Sequence, residues 1–174
     1  MLHKNARERY TKLCADFSRL MYHFDRDGLD DFIQTANSLV NWIKLDDTLS
    51  QHQKDELARF TIPNGIDWQI CNQIANRQKH VRPERNLTAA LKVKSAQINQ
   101  GGEPGFRFPS FPRVFAAGDK IMIEYECDGK TSFEPAHSFV VRTFQHFYYI
   151  FELAPLPNDQ RMITGKSLFE LMTR

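Results

Sequence analysis

The first half of the chain places apolar residues with the period of an α-helix. They recur at steps of three and four over residues 10–24 and again over residues 29–44, which predicts two amphipathic helices. The break between them is short and contains a glycine, so we expect an antiparallel helical pair. The residues expected to be buried in this pair include Phe17, Leu20, Phe32, Ala36 and Leu39.

Two shorter helices are predicted to follow. Ser50 and Gln53 have the spacing of a capping box, and the Pro-Asn-Gly sequence at residues 63–65 would end the helix that they begin. Asp67 is expected to cap the next helix, which should finish near His80, before a proline. The inner face of that helix is expected to consist of Ile70, Cys71, Ile74 and Ala75.

The second half begins with a pattern of period two. Around Val93, apolar residues alternate with lysines, as in a strand with one solvated face, and residues 120–127 predict a second strand. Asp128-Gly129 is a strong hairpin signal. Glu134-Pro135 suits the start of a closing helix. Its apolar stripe comprises Ala136, Phe139, Val140, Thr143, Phe144, Phe147, Ile150 and Phe151.

These patterns predict an α+β fold that is mainly α, with a small antiparallel β element and a long C-terminal helix. The 174 residues suit one domain, 1–174. We divide it into a helical bundle at 5–82, strands and a Pro/Gly-rich loop at 87–133, and a closing helix with a tail at 135–174.

Charge and composition narrow the range of partners and sites that the chain is expected to have. A formal net charge of +2 is too small for general attraction to nucleic acid or an anionic membrane, so such a partner would need a local basic patch. Three cysteines without a closely spaced pair indicate neither a disulfide framework nor a zinc site. The sequence shows no secretory signal and no apolar run long enough to span a membrane, from which we expect a cytoplasmic protein.

The sequence does not match the usual cofactor-binding motifs. Gly165-Lys166-Ser167 imitates the end of a phosphate-binding loop, but Gln160 stands where that loop needs glycine. No two of the six histidines have the helical i, i+4 spacing of a metal site, and His137 and His146 should lie on opposite helix faces. We therefore expect neither a metal nor a cofactor.

The stretch with the clearest excess of positive charge begins at the end of the predicted fourth helix. Its guanidinium and ammonium groups could neutralise phosphates, and a histidine among them could move a proton near neutral pH. The competing interpretation is a solvated helix end, whose cations favour the negative end of the helix dipole. The stretch comprises Arg77, Lys79, His80, Arg82 and Arg85, with Glu84 as its one acid.

Three segments carry a family resemblance: Asp30-Asp31-Phe32, the sequence Asn-Trp-Ile-Lys at 41–44, and residues 70–80. In these segments the chain resembles the HEPN superfamily of small helical-bundle proteins, found in bacterial toxin–antitoxin, defence and phage-related systems. Active members of that superfamily are metal-independent endoribonucleases, which dimerise to join two Arg-x4-6-His motifs. His80 matches the histidine of the motif. The arginine departs from it, because Arg77 lies only three residues before His80.

The resemblance implies an RNA-directed protein that acts as a homodimer. His80 and Arg77 would be catalytic, with histidine assisting proton transfer from the RNA 2′-hydroxyl and arginine stabilising charge on the phosphate. Asn76, four residues before His80, would share its helix face. The residues expected to bind the substrate are Asn76, Lys79, Arg82 and Arg85.

Two alternatives remain open at this stage. The first is a catalytically inactive HEPN-like module that binds a protein partner in a defence or phage-related assembly. The second is a small-molecule site between the helices and the strands, lined by Phe106, Phe108 and Phe111. Polar side chains that converge on such a pocket would favour the second alternative.

Overall fold

The computed structural model describes residues 5–61, 65–78, 93–100 and 121–153, with the backbone alone at residues 77, 78, 100 and 153. This part of the chain is mainly helical and carries a small three-stranded antiparallel sheet, which confirms the predicted α+β class. Its elements are α1 (Ala6–Tyr22), α2 (Arg26–Leu45), α3 (Gln51–Thr61), α4 (Ile66–Gln78), β1 (Val93–Gln100), β2 (Ile121–Cys127), β3 (Lys130–Pro135), α5 (Ala136–Tyr148) and a π-helical turn (Tyr149–Leu153).

Side-chain caps start the first two helices. The Asn5 carboxamide accepts a hydrogen bond from the Glu8 backbone N–H at 2.9 Å, before α1. The Asp25 carboxylate accepts one from the Gly28 backbone N–H at 2.6 Å, before α2. Each cap satisfies a backbone donor that the first turn of a helix leaves without a partner.

Polar contacts show that α1 and α2 are antiparallel, as predicted. Asp16 accepts a hydrogen bond from Thr35 at 2.7 Å, and Arg9, nearer the start of α1, donates to Ser38, further along α2, at 2.8 Å. Residues earlier in α1 therefore meet residues later in α2. The pair is buried along its predicted stripes, including Phe17, Leu20, Phe32, Ala36 and Leu39.

Helix α5 completes the core through aromatic stacking. The Phe144 ring lies 4.0 Å from the Phe17 ring, nearly parallel to it, and the Phe151 ring lies 4.3 Å from the Tyr10 ring. Every residue of the predicted apolar stripe is buried, including those in the π-helical turn. A stripe of the predicted composition therefore packs the closing helix against α1.

The capping box at the start of α3 is confirmed. The Ser50 backbone N–H donates to the Gln53 side chain at 3.0 Å, and the Gln53 backbone N–H donates to the Ser50 hydroxyl at 3.3 Å. The Gln53 side chain also donates to the Ile150 carbonyl oxygen at 3.0 Å. One residue thus caps α3 and joins it to the π-helical turn.

The three strands are ordered β1-β2-β3. The predicted hairpin joins β2 to β3, and Asp128 and Gly129 both have positive φ, at 49° and 76°, as a type I′ turn requires. The alternation expected at Val93 is confirmed there, since Val93 is buried and Lys94 exposed. A register shift follows Val93, so that the next buried residue is Ala96.

One predicted cap is wrong. Helix α4 begins at Ile66, so Asp67 lies inside its first turn and does not precede it. The Asp67 carboxylate binds the side chain of Arg142 on α5. A tertiary ion pair has replaced the local bond that the sequence predicted. The inner face of α4 is otherwise buried as expected, at Ile70, Cys71, Ile74 and Ala75.

Other expectations fall outside the described residues. They concern the Pro/Gly-rich loop with its three phenylalanines and the C-terminal tail. Within the described part of the chain, no helix is both long enough and apolar enough to cross a membrane.

Candidate functional site

Two glutamines of α4 hold the start of β1. The Val93 backbone N–H donates to the Gln69 side-chain oxygen at 2.8 Å, and the Gln73 amide donates to the Val93 carbonyl oxygen at 3.4 Å. The two glutamines are one helical turn apart, so together they bind both polar groups of one backbone residue. The described chain therefore resumes directly against α4.

The predicted RNA site lies mostly beyond the described residues. Asn76 is half-buried on α4, and its amide donates to the Asn72 side-chain oxygen at 2.9 Å. Arg77 belongs to the last turn of α4, where the structure gives its backbone only. The predicted site residues outside the described ranges are Lys79, His80, Arg82 and Arg85.

A cluster of ionic side chains, which the sequence interpretation missed, lies at the opposite end of α4. Arg142 of α5 donates to both carboxylate oxygens of Asp67, at 2.6 to 3.0 Å. The same guanidinium donates to both oxygens of Glu134, at the end of β3, at 2.9 and 3.0 Å. One arginine therefore ties α4, α5 and the sheet together through charge-assisted hydrogen bonds.

His146 extends this cluster toward solvent. It lies one turn after Arg142 on α5, and its Nε2 atom is 3.5 Å from Oδ2 of Asp67. Its ring centroid is 4.5 Å from that of Phe60 on α3. The imidazole side chain is 44% exposed, so it can meet both a buried carboxylate and a molecule arriving from solvent.

The two carboxyl groups respond oppositely to this environment. Burial acts to raise the pKa of Asp67, but hydrogen bonds from His146 and Arg142 outweigh it, so the pKa lies below its ordinary value. Burial raises the pKa of Glu134, and Arg142 offsets only part of that rise. The hydrogen bond to Asp67 raises the pKa of Arg142, which keeps the guanidinium charged.

These four side chains line a cleft of about 450 Å³ between the helices and the strands. Arg59, Phe60 and Tyr125 also line it. The volume lies within the range of small-molecule sites. Polar side chains therefore converge on a pocket between helices and sheet, although the phenylalanines predicted to line such a pocket are outside the described residues.

The sequence carried one signal for this cluster. Arg142 and His146 stand four residues apart on the predicted closing helix, so they share one face of it, beside the apolar stripe. Their partners were interpreted locally, Asp67 as a cap and Glu134 as part of a helix start. Arg142 is 75 residues from Asp67 and 8 residues from Glu134 in the sequence. These contacts form only in the tertiary fold, so local patterns do not predict them.

The described residues contain no group of three or more His, Cys, Asp or Glu side chains arranged to hold a metal ion. Comparison of the chain with known protein families, with characterised proteins and with solved structures gave no match.

Proposed function

We propose that this chain is an HEPN-like, RNA-directed protein that cleaves RNA without a metal ion, in a bacterial toxin or defence system. The catalytic residues in this proposal are His80 and Arg77, at and beyond the C-terminal end of α4. Asn76, Lys79, Arg82 and Arg85 bind the RNA chain. The mainly helical fold and the short sequence resemblance support the proposal.

The main structural support for the RNA-cleavage proposal is the orientation of α4. The buried side of this helix packs into the core, whereas Asn72 and Asn76 are half-buried and hydrogen bonded to each other along its rim. Residues four apart share a helix face. An α-helical continuation by two residues beyond Gln78 would carry His80 onto the rim that Asn76 already occupies.

The return of the chain to α4 gives a second support. The described backbone leaves at Gln78 and resumes at Val93, which Gln69 and Gln73 hold against the same helix. The sequence between these two points carries most of the basic residues of the predicted site. The described backbone on both sides of this segment therefore lies against α4, which supports one local phosphate-binding surface beside that helix.

The reaction needs few groups. The 2′-hydroxyl of a ribose attacks the adjacent phosphorus, the bond to the 5′ oxygen of the next nucleotide breaks, and a 2′,3′-cyclic phosphate forms. His80 assists the proton transfer, and Arg77 stabilises the charge that accumulates on the phosphate oxygens. A homodimer would bring two such sets together across a two-fold interface.

The rival interpretation, an inactive protein-interaction module, would need an exposed apolar patch. The large apolar side chains exposed on the described surface are Tyr22, Leu45, Phe133 and Tyr149, and the first two are the most exposed. Tyr22 ends α1 and Leu45 ends α2, so in an antiparallel pair they lie at opposite ends of the bundle. These two side chains therefore do not form one apolar docking patch.

RNA binding tests the proposed surface. Affinity for a mixed single-stranded RNA should fall steeply with salt, because neutralised phosphates release counterions. Arg77→Ala should weaken binding and lower the slope of log affinity against log salt by about 0.7 for the lost phosphate contact. Arg19→Ala is the matched control, since Arg19 is exposed on α1 and paired with Asp31, and it should change neither quantity.

Cleavage separates the enzyme from a binding module. His80→Ala should abolish cleavage in EDTA while most of the binding survives, whereas His23→Ala, an exposed histidine after α1, should cleave like the wild type. Binding without cleavage would leave an RNA-binding module. If the wild type neither binds nor cleaves RNA at low salt, the basic stretch is a solvated helix end and the protein-interaction alternative becomes the better one.

A further inference from the structure

The ionic cluster holds more negative than positive charge. The carboxylate side chains of Asp67 and Glu134 are 10% and 15% exposed, and a single guanidinium, that of Arg142, serves both. Arg59, which also lines the cleft, has its own acidic partner in Glu56. Two largely buried carboxylates therefore share one guanidinium, so their negative charge is not fully balanced.

Glu134 is the less compensated of the two acids. Asp67 accepts three hydrogen bonds from Arg142 and lies beside His146, whereas Glu134 shares one nitrogen of the same guanidinium. Burial raises the pKa of Glu134 because it disfavours the charged carboxylate, and the shared Arg142 offsets only part of that rise. A second positive charge beside Glu134 would stabilise the ionised carboxylate.

The adjacent cleft has room and walls suited to such a group. It holds about 450 Å³, and the aromatic residues Phe60 and Tyr125 are among those that line it. Aromatic faces attract cations whose charge is spread over a weakly hydrated group. Each oxygen of Glu134 accepts one hydrogen bond from Arg142 and keeps a lone pair for a second donor.

We propose that this cleft binds a small organic cation, of the guanidinium or alkylammonium class, whose charge meets Glu134 and whose body contacts Phe60 and Tyr125. This site is separate from the proposed RNA site, because Asp67 and Asn76 lie at opposite ends of α4. The cation has two sources, either a free metabolite-sized amine or the arginine or lysine side chain of another protein.

Calorimetric titration tests the proposal with two probes, methylguanidinium and benzylammonium, and with neutral benzyl alcohol as a third. The two cations should bind at about pH 8, and benzyl alcohol should bind at least about tenfold more weakly. Glu134→Gln, which removes the charge but keeps a side-chain oxygen toward Arg142, should weaken cation binding about tenfold or more. Glu126→Gln removes a carboxylate on β2 that pairs with Lys94, and it should bind like the wild type.

A further probe separates the two sources of the cation. A short arginine-containing peptide that binds more tightly than methylguanidinium would identify a protein side chain as the source, and weaker binding would identify a free cation. The proposal is overturned if neither cation binds, if benzyl alcohol binds equally well, or if Glu134→Gln binds the cations like the wild type.

Discussion

Arg142→Met should expose how much the ionic cluster contributes to the fold. The substitution keeps an unbranched stem, shorter than that of arginine, but removes five hydrogen bonds to Asp67 and Glu134. It leaves two carboxylates that are 10% and 15% exposed without their shared cation. Breaking a fully buried pair costs about 3 to 5 kcal/mol, and losing an exposed pair costs about 0 to 1 kcal/mol.

The burial of the partners decides between these limits. Arg142 is itself 43% exposed, so solvent reaches the cation more easily than the two acids. We therefore expect the free energy of unfolding to fall by about 2 to 3 kcal/mol, measured by urea denaturation near neutral pH. The loss should shrink as the pH falls, because protonation neutralises the two carboxylates that the variant leaves without a partner.

A surface ion pair supplies the matched control. Arg19 donates to Asp31 at 2.8 Å, but both side chains are more than half exposed. Arg19→Met should therefore cost less than about 1 kcal/mol. Equal losses in the two variants, or a loss below about 0.5 kcal/mol in Arg142→Met, would refute the claim that the cluster is a partly buried structural element.

Three further substitutions test the core, the hairpin and a partly buried histidine. Phe17→Ala should cost about 3 to 5 kcal/mol in chemical denaturation, and a loss below about 1 kcal/mol, or one equal to that of exposed Tyr22→Ala, would place Phe17 outside the core. Gly129→Ala should cost about 1 to 2 kcal/mol, because φ is +76° although no atom blocks a Cβ; an unchanged denaturation midpoint would contradict the turn. Burial lowers the pKa of His137 to about 4, so stability should decline as the pH falls from about 6.5 toward about 4, and a thermal melt series on His137→Gln should show a smaller decline.

The helices were predictable because each has a local cause. The stripe through Phe17 and the stripe through Phe144 are set by residue spacing alone, and the rings that share these faces meet in the core. The Ser50–Gln53 capping box and the hairpin at Gly129 are likewise decided within four residues. Local sequence therefore gave the elements and their buried faces.

The ionic cluster was not predictable for the opposite reason. Asp67 has the residue type and position of a helix cap, but Arg142 lies 75 residues later and replaces the local partner. The shift in strand register after Val93 also depends on pairing with β2, which no local pattern specifies. Contacts between distant segments decide both features.

Cleavage of one RNA and of its fully 2′-O-methylated copy, in EDTA, tests the proposed function most directly. The account predicts that the wild type cleaves the unmodified RNA alone and leaves a 2′,3′-cyclic phosphate, because the attacking group is the 2′-hydroxyl. It also predicts that His80→Ala is inactive and that His146→Ala retains activity. Cleavage of the methylated RNA, full activity in His80→Ala, or no cleavage by the wild type would contradict it.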